Sequence, residues 1–161
     1  MQLEAVMNRL SLTFTALLLL VAGRLSGQTL DDDVNAMAVA VAAVQAKAPT
    51  IPSVLAYSDR SAALAQKLAA KLATNIVQES SLVTCQDDAQ LHRKKCTLNS
   101  GVVRLINIGT VTVTGDRALV YLFVELPSNS PWQPIETETY VLNLARVNGI
   151  WTVVSNDLSV V

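Results

Sequence analysis

The chain has 161 residues with 12 basic and 13 acidic side chains, and just over half its residues are apolar. That length allows one domain and makes two unexpected. A charge near zero, with one three-residue basic cluster at Arg93-Lys94-Lys95, gives no electrostatic reason to expect nucleic acid or an anionic membrane as partner.

The N-terminus reads as an export signal. Leu10 to Gly23 is apolar, a basic residue precedes it at Arg9, and small residues follow at Gly23, Ser26 and Gly27. This pattern describes a secretory signal peptide, and the apolar run is short of the roughly 20 residues a membrane span needs. Met7-Asn8-Arg9 makes a better signal start than Met1, which has Glu4 nearby, so the start is left between Met1 and Met7. The domain layout is therefore a signal over residues 1–27 and one exported domain over 28–161. Removing the signal takes away Glu4, Arg9 and Arg24, leaving 10 basic and 12 acidic residues and no membrane span. The expected location is the periplasm, the cell envelope or outside the cell.

Asp31-Asp32-Asp33 stand directly before a helical pattern in which Val34, Met37, Val41, Val44 and Ala48 recur on one side. Acidic residues suit the positive end of a helix, so this triplet reads as capping rather than as a cation site, whose ligands would alternate. Pro49 and Pro52 stop the helix, and Pro49 to Tyr57 reads as a link. A second helix, capped by Ser58 or Asp59, carries the stripe Leu64, Leu68, Leu72 and Ile76 among many alanines.

Cys85 and Cys96 are the two cysteines, and an even count in an exported domain favours a structural disulfide. Ten intervening residues is not a redox C-x-x-C spacing, and His92 as the one histidine is too little for a zinc site, so no metal or cofactor is expected. Ser81 to Cys85 and Lys95 to Leu98 read as short strands tied by that bridge. Asp87-Asp88 before Arg93-Lys94-Lys95 makes the intervening loop locally neutral.

The C-terminal third reads as two β-hairpins. The first runs from about Val102 to Leu126 and turns at Gly115-Asp116, a type II′ signal that sets Thr114 opposite Arg117 and Val113 opposite Ala118. Strict alternation puts Leu105, Val111, Val113, Ala118, Val120, Leu122 and Val124 on one face, and Ile106, Ile108, Leu119, Tyr121 and Phe123 on the other. The second hairpin turns at Asn148-Gly149, a type I′ signal, with Val147 opposite Ile150, Arg146 opposite Trp151, Leu144 opposite Val153 and Leu142 opposite Ser155. Tyr140, Leu142, Leu144, Trp151 and Val153 then share a core face. Two apolar faces imply helices over one side and another cover, such as a second copy, over part of the other. The proline-rich loop Pro127 to Pro134 joins the hairpins, and its Trp132 is expected to plug one end of the sheet.

Helices followed by these hairpins give an α+β fold, with N-terminal helices on a curved antiparallel sheet of about four to six strands. The pieces Val111 to Val120 and Leu144 to Val153, the latter with an Asn-Gly turn and a tryptophan-bearing last strand, resemble the nuclear-transport-factor-2-like superfamily, which includes SnoaL-type and ketosteroid-isomerase-type domains of cystatin-like shape. The resemblance covers about residues 101–157. It implies a cone with an internal pocket and dimers formed through the sheet's outer face. Catalytic members use a pocket carboxylate with Tyr or His, and no residue here matches those positions.

Three functions remain open on these residues. A non-catalytic exported domain could bind a small apolar ligand or an envelope protein, since no nucleophile elbow or zinc motif occurs. A pocket enzyme acting on a carbon acid would draw on Asp87, Asp88, His92, Tyr121 or Tyr140. An assembly role would use a free sheet face. A carboxylate inside an enclosed apolar pocket would separate the second from the others.

Overall fold

The computed structural model describes residues 29–89, 92–130 and 132–160. The expected export signal lies outside the described residues. Helix α1 (Leu30–Gln45) opens on Thr29, whose side chain accepts the Asp32 N–H. The cap is thus one residue before the acidic triplet, and Asp31, Asp32 and Asp33 fill the first turn, where they face the positive end of the helix dipole. Four of the five stripe residues are buried as expected: Val34, Met37, Val41 and Val44 are sealed from solvent, with Ala36 and Ala40 between them, whereas Ala48 lies past the helix end and is half-buried.

Beyond α1 the stretch expected to be a link contains strand β1 (Val54–Tyr57). A 3-10 turn (Asp59–Ser61) then leads into helix α2 (Ala62–Leu72). The helix ends sooner than its stripe suggested. Thr74 N–H reaches Ala69 O at 3.2 Å and Ala73 N–H reaches Ala70 O at 3.4 Å, with Ala73 left-handed at φ 48°. This is a Schellman stop with alanine in the place glycine usually takes. Ile76 therefore belongs to strand β2 (Ile76–Gln78), not to the helix.

Strands β3 (Val83–Asp88) and β4 (Arg93–Leu98) form a separate two-stranded hairpin with Cys85 directly opposite Cys96, bonded as a disulfide. Strands β5 (Leu105–Thr114), β6 (Arg117–Pro127), β7 (Ile135–Val147) and β8 (Ile150–Val160) are the two long hairpins. The main sheet has six strands in the order β2-β1-β5-β6-β7-β8. The expectation of an antiparallel sheet needs correcting: β1 pairs in parallel with both β2 and β5, and only β5 to β8 are antiparallel. The cause is α2, which serves as the crossover that two parallel neighbours require.

Both turns hold. Thr114 faces Arg117 across Gly115 (φ 59°), and Val147 faces Ile150 across Asn148 (φ 52°) and Gly149 (φ 80°). The registers then depart from simple alternation twice. A bulge between Ile108 and Val111 puts Ile106 and Ile108 on the core face with Val111 and Val113, and leaves Leu105 on the other side. Gly109 permits it, because a Cβ there would lie 2.5 Å from the Tyr121 carbonyl oxygen. A second shift beyond Leu144 sets Leu142 opposite Asn156 rather than Ser155.

Helix α1 lies across β5 to β8 and seals a core of Ile106, Val120, Leu122, Val124, Leu142 and Leu144. The second face is covered in part by the cystine hairpin, whose β4 rests against β6 and β7. Leu105 and Asn107 are buried on that face. Trp132 is no plug: it is 66% exposed, and its carbonyl accepts from Arg93.

Candidate functional site

The residues singled out for catalysis do not converge. Asp87 lies opposite Lys94 and Asp88 opposite Arg93 in the cystine hairpin, so the charges are balanced across its two strands. His92 sits exposed in the turn with a left-handed backbone (φ 51°). Tyr121 is opposite Val141 on the second face, whereas Tyr140 is opposite Leu122 on the core face. A sheet separates the two phenols.

Tyr140 does meet a carboxylate. Its hydroxyl donates to Glu138 Oε2 at 2.9 Å, two residues along the same strand. Burial, followed by the bond to Glu138 and that residue's charge, pushes the Tyr140 phenol above the ordinary tyrosine range, while Arg104 opposes the shift. Arg104 is 3% exposed and donates to Val44 O at 2.9 Å and Ser53 Oγ at 3.2 Å. It thereby supplies, from the start of β5, the cation that the last turn of α1 lacks. This knot pins the helix end to the sheet. Sequence reasoning missed Arg104 because the helix it caps lies 60 residues away.

The groove with the richest chemistry runs between α1 and the β7–β8 turn. It encloses about 420 Å³ and is lined by Asp32, Asn35, Ala38, Val39, Ala42, Lys71, Arg146, Gly149, Ile150 and Trp151. Its construction follows from the sequence. The Asn-Gly turn fixes Arg146 opposite Trp151, and the guanidinium carbon lies 4.5 Å from the centre of the indole ring. Arg146 also donates to Asp32 Oδ1 at 2.6 Å, both side chains about a quarter exposed, so the acidic first turn of α1 anchors the hairpin. Its Nε is buried without an acceptor. Small residues at 38 and 42 keep the helix surface low on this side, and Ile150 forms an exposed apolar lip. Lys71, exposed on α2, brings a second cation to the rim.

Two shallower grooves adjoin α1, one by Asp31, Val34 and Lys67 and one by Gln45, Pro49 and Pro52. Another, of about 450 Å³, lies beside the cystine hairpin and is lined by Tyr57, Asp59, Gln78, Glu79, Val83 and Cys85. Glu125, half-buried on the second face, has its carboxyl raised from the ordinary range, by burial first and by the Glu79 charge second.

Among the described residues no cluster of three or more His, Cys, Asp or Glu could hold a metal, and no helix is long and apolar enough to cross a membrane. Comparisons of the chain with family models, curated proteins and solved structures find no match.

Proposed function

We propose that the chain is an exported, non-catalytic binding domain that takes a small molecule with an apolar body and a carboxylate head into the groove between α1 and the β7–β8 turn. The observation that carries this is Arg146: a guanidinium stacked on Trp151 whose Nε is buried with no acceptor, at the edge of an alanine-lined floor. A buried donor without a partner costs about 1–3 kcal/mol, which a ligand oxygen would recover. The volume lies within the range of small-ligand pockets, and the mix of apolar lining with a few placed polar groups is typical of them. The disulfide fits the oxidising compartment that the export signal implies. The family resemblance of residues 101–157 implies an internal pocket; here α1 fills the core face and the groove lies at its margin.

The test is fluorescence of Trp151 in a Trp132→Phe background, titrated with decanoate and with decanol. Saturable quenching or enhancement by decanoate, at least tenfold weaker for decanol and for the Arg146→Gln variant, supports the reading. A folded protein whose Trp151 signal responds to neither compound sinks it.

A second reading, contact with an envelope protein or a second copy, is favoured by β8, the long outer strand of the sheet. Ile150, Val154 and Leu158 are 69%, 68% and 52% exposed along it, and its one charge is Asp157. Light scattering that finds a strict monomer at high concentration removes the second copy. The alternative of a pocket enzyme acting on a carbon acid has its one phenol–carboxylate pair in Tyr140 and Glu138, and neither residue lines a groove described above.

A further inference from the structure

On the second face of the sheet, away from the proposed ligand groove, polar groups gather where an apolar layer is expected. Asn107 stands near the start of β5 with Ala56 and Phe123 as its neighbours in register, and is 7% exposed. One step along that face, opposite Leu105, is Glu125. Glu79, where the chain leaves β2 for the cystine hairpin, reaches in from above and accepts a hydrogen bond from Asn107 Nδ2.

The group is deficient in positive charge. Glu79 and Glu125 are close enough for the charge of one to disfavour ionisation of the other. No lysine or arginine pairs with either carboxylate among the described residues. Asn107 Oδ1 is buried at this point with no donor. Oδ1 shares its amide carbon with the nitrogen bonded to Glu79, so it lies within one amide group of that carboxylate.

Two carboxylates and an amide oxygen form a hard, all-oxygen donor set. Such donors suit Ca²⁺, which accepts irregular geometry and completes a shell of six to eight oxygens with water. Water has access, because Glu79 also lines the open groove beside the cystine hairpin. Mg²⁺ fits less well, since it demands near-octahedral geometry and surrenders its own waters reluctantly.

We propose that Glu79, Glu125 and Asn107 form a Ca²⁺ site that clamps the start of the cystine hairpin onto the second face of the sheet. The cation replaces the missing donor to Asn107 Oδ1 and removes the repulsion between the carboxylates. Binding therefore stabilises the junction between β2 and the hairpin more than it stabilises the core under α1.

The test uses the disulfide-intact protein, stripped with chelator and returned to CaCl₂ at pH 7.5. Ca²⁺ is expected to raise the unfolding midpoint by several degrees, with half-saturation at or below about 1 mM, as for weak extracellular sites. Terbium luminescence gives a direct binding signal that competes with Ca²⁺. The Glu125→Gln variant is expected to lose both responses while keeping or exceeding the chelator-treated midpoint of the parent, because it removes a like charge. Arg146→Gln is expected to retain both, which keeps this result separate from the ligand groove. If neither the midpoint nor the backbone amide resonances of Glu79, Asn107 and Glu125 change up to about 10 mM CaCl₂, the cluster holds no cation and the proposal fails. A response that survives unchanged in Glu125→Gln overturns it equally.

Discussion

The strands β5–β8 and the hairpin β3–β4 are both antiparallel, yet they are held together by different physics. In the sheet, Val120, Leu122, Val124 and Leu142 are sealed under α1, and a buried aliphatic side chain of this size contributes roughly 1.5–3 kcal/mol. In the hairpin no residue is fully buried, and Cys85 itself is exposed. There a covalent bond between directly opposed residues does what burial does elsewhere. The difference teaches that the sheet's order is cooperative and the hairpin's is local. Changes to the first should unfold the whole domain, and changes to the second should loosen one part of it.

The sharpest way to break that contrast is in the core. Leu142→Ala, at a fully buried position, is expected to cost about 2–5 kcal/mol, read as a lower urea midpoint common to all spectroscopic probes. Gly109→Ala strikes the bulge instead, forcing a Cβ against the Tyr121 carbonyl. A loss of roughly 1–3 kcal/mol follows from overpacking, with amide shifts confined first to the contact between β5 and β6. A smaller loss from Gly109→Ala than from a surface alanine substitution would mean that the bulge is not where the registers place it.

The hairpin should respond differently. Replacing Cys85 and Cys96 by serine removes a cross-link closing a short loop, with a ceiling of about 3 kcal/mol in the chain-entropy account. Hydrogen exchange should quicken across β3 and β4 while β5 to β8 remain slow. Uniform quickening would show that the two regions fold as one unit.

Alkaline titration sharpens the sheet side of the comparison. The Tyr140 phenol is raised in the folded state by burial and by Glu138. Its contribution to stability is thus complete below the unfolded tyrosine value near 10 and is lost as pH rises through the folded value. Tyrosinate absorbance should show one phenol titrating above the ordinary range, and Tyr140→Phe should abolish that component. The smallest expected effect is a gain: Ala73→Gly relieves a left-handed alanine at the end of α2 and should stabilise by roughly 1 kcal/mol, measured by thermal unfolding.

Those two regions also differ in how far their residues announce them. Gly115-Asp116 and Asn148-Gly149 demand particular dihedrals, so both long hairpins and the pairing of Arg146 with Trp151 can be read from the chain. The even cysteine count likewise points to the bridge. The parallel edge is not legible in this way. β1 and β2 are four and three residues long, too short for periodicity to register, and α2 ends on an alanine where a glycine would have marked the stop. The bulge at Gly109 reverses the face of Ile106 and Ile108, which alternation alone cannot foresee.

The candidate groove was half legible. Arg146 facing Trp151 follows from the turn, but the approach of Asp32, over a hundred residues earlier, depends on how α1 lies across the sheet. Arg104 and the cluster of Glu79, Asn107 and Glu125 were invisible for the same reason: their partners are brought together by tertiary packing and by no local pattern.

The central claim is that the Arg146–Trp151 groove receives an apolar acid. The most direct measurement is an amide and indole NMR titration of the disulfide-intact domain with decanoate. Saturable shifts confined to Asn35, Ala38, Ala42, Gly149, Ile150 and the Trp151 indole are predicted, with little change at Glu79 or Asn107. Shifts that scatter over the surface without saturating, or that centre on the cystine hairpin, would contradict it.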